Sequence, residues 1–198
     1  MPKLLLASTS PARKKLLTDA GIEFESLPPG VDEESLVEKL RPGTAEELTL
    51  LLAKAKAEAV VGKTSAELIL GCDSALEFEG QILGKPVLDS VAISRWKSMR
   101  GKWGTLASGH HLIASNGKSA SFCSKTRVLF ADISDAEIAR YVATGEPLGV
   151  AGAFTIDSIG GSYVERIEGD YHTVVGLSLV ALRKLMAELG HNYQDFWR

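Results

Sequence analysis

The sequence predicts an α/β fold in which helices flank a mixed, twisted sheet. In the first half, short apolar runs of strand length alternate with segments whose apolar residues have helical spacing. Between residues 105 and 132, two strand-like segments surround Asn116-Gly117, which is typical of a meander. At 198 residues the chain suits a single domain, residues 1–198, in which two lobes share the sheet around a central cleft.

Composition restricts the classes of partner. Hydrophobic residues make up 45% of the chain and charged residues 24%, as in a soluble globular protein, and no apolar run is long enough for a transmembrane helix. The N-terminal segment does not resemble a signal peptide, so we expect a cytoplasmic protein without a membrane partner. A net charge of −3 argues against broad nucleic-acid binding and favours a small partner. Two cysteines and four scattered histidines offer no zinc site, so any metal must be held by oxygen atoms.

The first strand and helix meet in a turn that could bind an anion. Residues 4–7 predict a buried strand, and the following Ser8-Thr9-Ser10-Pro11 begins a helix with Ser10 as its N-cap. Arg13 lies four residues before Leu17, so it shares the inward side of that helix. Hydroxyls, free backbone N–H groups and a guanidinium together suit phosphate oxygens. The alternative is an ordinary helix cap with Arg13 paired to an internal carboxylate.

The next segment contains an acidic run and a helix. After a short strand around Phe24, residues 31–34 include three acids in a row, which by composition predict a solvated loop containing Glu33. Thr44 and Glu47 predict a capping box. The helix that follows has its predicted apolar stripe at Leu48, Leu51, Leu52, Ala55 and Ala59. Lys56 lies at the margin of this stripe, where it could deliver its ammonium into a cleft or simply extend to water.

The stretch from residue 67 to residue 86 is the strongest candidate for chemistry. Leu68, Ile69 and Leu70 predict a strand buried on both faces, and Asp73 follows at its end. Alternating residues then predict a hairpin with its turn at Glu79-Gly80. The hairpin would return Lys85 toward Asp73, which brings an acid and a base together.

The remaining elements carry fewer polar groups with an evident role. Residues 89–99 predict a helix capped by Asp89 or Ser90, and Cys123 fits the meander as a small buried residue. Ser134 and Glu137 predict a second capping box.

Residues 149–161 hold four of the 19 glycines and contain Asp157. Such a run predicts backbone packed closely against another strand or a ligand. A strand at 163–167 and a final helix capped by Ser178 follow. The aromatic tail, residues 193–198, is expected to dock on the body of the protein or on a second subunit, so a homodimer is plausible.

These polar residues together suit nucleotide phosphate chemistry. Glu33 and Asp73 are two carboxylates without a thiolate or imidazole cluster, a donor set that suits Mg²⁺ or Mn²⁺ bridging to phosphates. Lys56 and Lys85 supply mobile cations. Neither the P-loop pattern nor the Gly-x-Gly-x-x-Gly dinucleotide-binding pattern occurs.

At this point the residues resemble a known family, the Maf nucleoside triphosphate pyrophosphatases, whose fold is similar to that of the inosine triphosphate pyrophosphatases. The opening LLLASTSPARKKLL resembles the family pattern Ala-Ser-x-Ser-Pro-Arg-Arg-x-x-Leu-Leu, and Val31-Asp32-Glu33 matches its acidic loop. Leu52-Ala53-x-x-Lys56-Ala57, Gly71-x-Asp73 and Gly84-Lys85-Pro86 match its central motifs. ATGEPLGVAGAF and VERIEGDYHTVVGLSL match its C-terminal half, so the resemblance spans residues 3–189.

The resemblance implies hydrolysis between the α and β phosphates of a nucleoside triphosphate, which gives a monophosphate and pyrophosphate. Asp73 would then be the general base or a metal-held residue that orients the attacking water, and Glu33 would help to hold the metal. The triphosphate would be clamped by five residues: Ser8, Ser10, Arg13, Lys56 and Lys85.

Three departures from the family pattern put base specificity in doubt. Ala12 replaces the first Arg of the usual pair, and Gly104 stands where many members have His. Asp157 stands where many members have Gln. An acid near a triphosphate is unfavourable unless a metal or a donor meets it, so Asp157 could read the nucleobase, join the metal shell, or make a structural hydrogen bond to the Gly-rich backbone.

Two other classes stay open at this point. A nucleotide-binding regulator of cell division and septum formation would need the clamp without turnover. A phosphatase for another phosphorylated metabolite would release orthophosphate rather than pyrophosphate.

Overall fold

The computed structural model describes residues 3–198, which form a seven-stranded mixed sheet and seven α-helices. Residues 1 and 2 of the predicted domain 1–198 lie outside this range. The strands are β1 (Leu4–Ala7), β2 (Phe24–Ser26), β3 (Leu68–Phe78), β4 (Gln81–Leu83), β5 (Trp103–Ala114), β6 (Ser119–Phe130) and β7 (Val164–Glu168). The helices are α1 (Pro11–Asp19), α2 (Glu33–Leu40), α3 (Ala45–Glu58), α4 (Asp89–Met99), α5 (Asp135–Val142), α6 (Tyr171–Val175) and α7 (Leu179–Glu188). No helix in residues 3–198 has the length and apolar character needed to cross a membrane.

The sheet confirms the predicted mixed α/β fold. Its strand order is β2-β1-β3-β5-β6-β7, and β4 pairs with β3 at the side of this path. β1 is parallel to β2 and β3, whereas the other neighbouring strands are antiparallel. The predicted hairpin turn at Glu79-Gly80 is also present, with both residues at positive φ.

Strand β3 runs past the point at which the sequence analysis ended it. The prediction that Asp73 follows the strand is wrong, because β3 continues to Phe78 and Asp73 lies in its interior. β1 is the strand that stops there, since its last residue, Ala7, pairs with Gly71. Asp73 therefore lies just beyond the carboxyl end of β1. At the level of Asp73, β3 no longer has a parallel strand beside it.

One face of the sheet carries two apolar cores. The first includes Leu70 and packs against α1 and α7, and the second surrounds Trp96 and Phe130 and includes Leu76. Leu70 and Leu76 are both on β3, so the residues between them separate the two cores. Side chains alternate along a strand, so Ser74 faces this side and Asp73 faces the other.

Helix α3 covers the opposite face at unusually short range. A Cβ atom added to Gly71 would lie 2.0 Å from the backbone oxygen of Ala53, and one added to Gly109 would lie 2.4 Å from the carbonyl carbon of Thr49. The buried side of α3 is therefore made of small residues and differs from the predicted leucine stripe. Its buried members are Ala45, Thr49, Leu52, Ala53, Lys56 and Ala57. Lys56 is thus part of the buried face, 6% exposed, and not at its margin.

Several local expectations need correction. The acidic run does not form a loop throughout, because Asp32 accepts a hydrogen bond from the backbone N–H of Ser35 and begins α2, with Glu33 as its first residue. The predicted capping box of α3 is incomplete, since the Glu47 carboxylate accepts from the N–H of Gly43.

Other local expectations concern α4, the meander and the second capping box. The N-cap of α4 is Leu88, without a side-chain hydrogen bond, and Cys123 is only partly buried. The capping box of Ser134 and Glu137 is confirmed.

The Gly-rich segment packs against the protein itself. It forms three short 3₁₀ turns, and Gly152 approaches the side chain of Leu76 so closely that an added Cβ would lie 2.7 Å away. At the C-terminal end, Phe196 docks into the first core, whereas Trp197 is 54% exposed.

Candidate active site

The turn between β1 and α1 has the predicted cap and presents two hydroxyl groups. Ser10 is the N-cap of α1, and its Oγ accepts a hydrogen bond from the backbone N–H of Arg13 at 3.4 Å. Ser8 is buried, and its Oγ accepts from the N–H of Ser10 at 3.1 Å. Both oxygens act as acceptors in these contacts, so each hydroxyl keeps its own proton to donate to a ligand.

Arg13 points inward, as predicted, but it is not paired with an internal carboxylate. Nε donates to the carbonyl oxygen of Gly176 at 2.8 Å, and Nη1 donates to the carbonyl oxygen of Cys72 at 2.9 Å. Nη2 donates to Ser74 Oγ at 3.1 Å. The side chain is 9% exposed, and none of the ion pairs among residues 3–198 involves it. A buried cation held by neutral acceptors favours an anion nearby.

A lysine joins the two predicted acids on the other face of β3. Lys56 Nζ lies 2.6 Å from Asp73 Oδ1 and 2.9 Å from Glu33 Oε1. The lysine comes from α3, Asp73 from β3 and Glu33 from the first turn of α2, so three elements meet at one ammonium group. Burial raises the pKa of the Asp73 carboxyl above its usual value, although the charges of Lys56 and Arg13 oppose that rise. The structure therefore brings together Glu33, Lys56 and Asp73.

Lys85 is placed less tightly than these residues. It is exposed and follows β4 by two positions. Leu83 pairs with Leu76, so continuing that antiparallel register would set Lys85 opposite Ser74, next to Asp73. No hydrogen bond or ion pair of its side chain occurs within residues 3–198. β4 itself ends at Leu83, so the approach of Lys85 to Asp73 stays a prediction.

Asp157 and Ala12 face one cavity of about 310 Å³ beside α1. Asp157 is exposed and, within the described part of the chain, accepts no hydrogen bond, so the structural alternative of a bond to the Gly-rich backbone is wrong. Gly104 lies elsewhere, in the second core. A Cβ there would lie 3.0 Å from a methyl carbon of Leu76 and 3.3 Å from the ring of Phe130, so a side chain at this position would require both neighbours to shift.

Four groups near Arg13 escaped the sequence analysis: three accept its hydrogen bonds, and the fourth accepts a hydrogen bond from one of those three. They are the carbonyls of Cys72 and Gly176 and the hydroxyls of Ser74 and Ser108. Ser108 Oγ donates to the carbonyl oxygen of Thr173 at 2.8 Å, so the hydroxyl of Ser74, 2.7 Å away, donates to Ser108. The position of Ser74 beside Asp73 was a usable signal. The two carbonyls and Ser108 gave no such signal in the sequence, because only the sheet register and the docking of α6 bring them close to Arg13.

The carboxylates fit a divalent cation that keeps part of its shell for water and phosphate. Asp73 Oδ1 and Glu33 Oε1 both contact the ammonium of Lys56, so the second oxygen of each carboxylate is the one that a cation could use. Within residues 3–198 no group of three or more His, Cys, Asp or Glu side chains is arranged to hold a metal. Two carboxylates are the usual protein share of a Mg²⁺ site that also binds substrate phosphates.

Comparison with known proteins decides the family. A family model described as Maf-like protein matches residues 3–189. The chain belongs to the Maf-like protein family.

Relatives in this family are similar along nearly the whole chain. A nucleoside triphosphate pyrophosphatase of Salinispora tropica is 55% identical and covers 98% of this chain and 87% of its own length. Another protein of that name, from Streptomyces coelicolor, is 46% identical over 98% of this chain and 94% of its own length. Among solved structures, a HAM1 protein from Coxiella burnetii covers 67% of this chain and 75% of its own, at 14% identity and a TM-score of 0.42. That last likeness is too low to support a conclusion about function.

Proposed function

We propose that this Maf-like protein hydrolyses nucleoside triphosphates between the α and β phosphates, giving a nucleoside monophosphate and pyrophosphate. The observation that carries the proposal is the Glu33–Lys56–Asp73 cluster lying across β3 from the buried, carboxylate-free guanidinium of Arg13. Curated relatives with up to 55% identity are named nucleoside triphosphate pyrophosphatase, which supports the same reading.

Asp73 is the residue proposed to activate or orient the attacking water. Its carboxylate has only one short contact with a protein cation, through Oδ1 to Lys56, so Oδ2 can accept a hydrogen bond from water. Lys56 holds Asp73 and Glu33 at a fixed distance from each other, and its charge favours the ionised form of Asp73 that a general base requires.

The β1–α1 turn is proposed to bind the phosphates. Arg13 supplies a fixed positive charge, and the hydroxyls of Ser8 and Ser10 supply donors beside it. Lys85, being exposed and unconstrained, can close onto the triphosphate once it is bound. Such donors stabilise the charge that develops on the leaving pyrophosphate.

We further propose that Mg²⁺ or Mn²⁺ is required, with Asp73 and Glu33 as the residues that would hold it. A divalent cation at such a site neutralises phosphate charge and polarises the phosphoryl oxygen. Lys56 forms ion pairs with both carboxylates, so its ammonium would lie next to the bound phosphates and add to the positive charge there.

The experiment that tests this function identifies the phosphate product. Purified protein is incubated with standard and modified nucleoside triphosphates and with Mg²⁺, Mn²⁺ or EDTA, and pyrophosphate and orthophosphate are measured separately. Pyrophosphate in equal amount to monophosphate, abolished by EDTA, is the expected result. Orthophosphate as the product would indicate a phosphatase instead. Nucleotide binding without any turnover would indicate the regulatory alternative, which no observation favours at present.

A further inference from the structure

The segment between β4 and α4, residues 84–88, carries Lys85, and we call it the Lys85 segment. Its backbone is held on both sides of the lysine. The carbonyl oxygen of Gly84 accepts two hydrogen bonds, from Arg95 Nη1 at 2.6 Å and from the backbone N–H of Gly152 at 3.2 Å. Further along, the N–H of Val87 donates at 3.3 Å to a carbonyl oxygen in the first of the three 3₁₀ turns. The segment is thus tied at two points to other parts of the protein.

The residues between these two points have little backbone freedom of their own. Lys85 precedes Pro86, which disfavours a helical conformation at the lysine, and the proline ring fixes its own φ. Val87 follows with a φ of 64°, which a β-branched residue rarely adopts, and the N–H of Leu88 donates to the carbonyl oxygen of Pro86 at 2.7 Å. Such a conformation persists only where the surrounding contacts fix it. The side chain of Lys85 is therefore free, but its starting point is not.

Arg95 makes the stronger of the two contacts that hold Gly84. It lies in the middle of α4 and lines a cavity of about 380 Å³ together with Phe78 and Leu83, so its side chain lies between the helix and the β3–β4 hairpin. Within residues 3–198, the bond to Gly84 is the only hydrogen bond of its guanidinium, and it joins no ion pair. A charged donor makes a stronger hydrogen bond than the neutral N–H of Gly152 does.

We propose, resting on the function proposed above, that Arg95 is a positioning residue for Lys85. Arg95 fixes the carbonyl group of Gly84, and this sets the point from which the side chain of Lys85 extends toward the bound triphosphate. The guanidinium is engaged by Gly84 and acts through Lys85, without touching the phosphates. A cation whose backbone is already ordered loses less entropy when it closes on the leaving pyrophosphate.

A double-mutant cycle distinguishes this role from a purely structural one. Arg95→Met keeps an unbranched apolar stem and removes the donor. It is expected to lower kcat/KM by about 10-fold, because a displaced cation stabilises the leaving group poorly. In a Lys85→Ala background the same change should alter kcat/KM by less than about 2-fold, since the residue through which Arg95 acts is gone. A loss of equal size in both backgrounds would overturn the proposal, because lost stability or lost positive charge does not depend on Lys85.

Amide hydrogen exchange tests the same role without any substrate. The N–H groups of Val87 and Gly152 should exchange faster in Arg95→Met than in the wild type, because the Lys85 segment is held less firmly. Arg140→Met is the matched control, since it removes an exposed arginine from α5, and it should change neither the exchange nor kcat/KM. Unchanged exchange at both positions in Arg95→Met would show that Arg95 does not fix the segment.

A binding measurement separates this inference from the function on which it rests. The α,β-methylene analogues of ATP, GTP, CTP and UTP cannot be cleaved at the proposed bond, so their dissociation constants can be measured for all four proteins of the cycle. If no triphosphate is hydrolysed but Arg95→Met weakens binding only where Lys85 is present, the positioning role is supported and the proposed function is wrong. If pyrophosphate is released but Arg95→Met acts equally with and without Lys85, the positioning role is wrong and the function stands.

Discussion

At the scale of single residues, the site depends on one ammonium group that serves two acids. Lys56 is 6% exposed, and its ion pairs with Asp73 and Glu33 are what make its burial tolerable. Each acid is likewise held by the lysine. A change at any one of the three therefore alters the charge balance of the other two.

Asp73→Asn is expected to lower kcat by about 10²-fold or more, because the amide cannot accept a proton from water. Turnover of the best triphosphate gives the rate, and circular dichroism shows whether the fold is retained. Glu77→Gln is the matched control, since Glu77 is an exposed acid on the same strand. Near-normal turnover in a folded Asp73→Asn protein would remove Asp73 from the mechanism.

Glu146 organises the Gly-rich segment that carries Asp157. Its Oε1 accepts from Tyr141 Oη at 2.9 Å, from Thr155 Oγ1 at 2.6 Å and from the N–H of Gly160 at 2.8 Å. Burial alone would raise the pKa of Glu146, but these donors together lower it to about 2.

Glu146→Gln should destabilise the protein by about 1–3 kcal/mol, because the amide N–H₂ would face at least one backbone donor of this segment. Urea unfolding at neutral pH measures the loss, and Glu188→Gln is the comparison for removing an exposed acid. For the wild type, a lowered pKa means that the stabilisation is present above the unfolded value of 4.5 and is lost as the pH falls toward 2. An equal stability for the two variants would contradict the role of Glu146.

At the scale of elements, the position of Lys56 is set by how closely α3 approaches β3. Gly71→Ala would place a Cβ 2.0 Å from the Ala53 carbonyl oxygen, which is backbone and cannot rotate away. We expect α3 to be displaced, with a stability loss of several kcal/mol and a fall in activity as Lys56 moves from Asp73. Thermal melts and turnover measure both effects.

Gly149→Ala is the control for this substitution, since an added Cβ there meets no atom within 4 Å. It should change stability by no more than about 0.5 kcal/mol. If Gly71→Ala were as stable and active as Gly149→Ala, close packing of α3 would not be what places Lys56.

The same elements show which features of the fold and the site can be predicted from the sequence and which cannot. The N-cap at Ser10 and the inward side of Arg13 follow from local rules and are confirmed. The buried side of α3 does not follow from local rules. Glycines far away in sequence let the helix backbone approach the sheet closely, so small residues and not the leucines face the sheet. The apolar run that ends at Leu70 predicts that Asp73 follows the strand. The end of β1, which leaves Asp73 without a parallel neighbouring strand, can be seen only in the sheet.

At the scale of the whole molecule, His110 links the first core to the final helix. The N–H of Ser178 donates to its Nε2 at 2.9 Å, so the ring proton is on Nδ1, which contacts the carbonyl oxygen of Phe122 at 3.2 Å. Burial lowers the pKa of His110 to about 4. A protonated ring would lose the acceptor that holds the start of α7.

Global stability should therefore decrease as the pH falls from about 6.5 toward 4, because the unfolded chain binds a proton at His110 that the folded chain excludes. The total effect of this one group is on the order of 3 kcal/mol. The unfolding free energy of His110→Gln should fall less steeply with decreasing pH than that of the wild type or of His191→Gln. Identical slopes in all three proteins would show that other groups dominate.

The clustering of the site is also a property of the whole molecule. Local patterns identified Glu33, Lys56 and Asp73 separately, and by composition alone Glu33 was expected to lie in a solvated loop. Their common contact arises because α2, α3 and β3 converge at the end of β1, and no single stretch of sequence contains that information. The homodimer and the cytoplasmic location stay predictions.

The hydrogen bond between Arg13 and Gly176 joins positions 163 residues apart. During synthesis the serine turn, the acids and the lysine all emerge long before this acceptor exists. The Nε–H of Arg13 therefore gains its acceptor only after residue 176 has been made, so the full set of hydrogen bonds that holds the guanidinium forms late in synthesis.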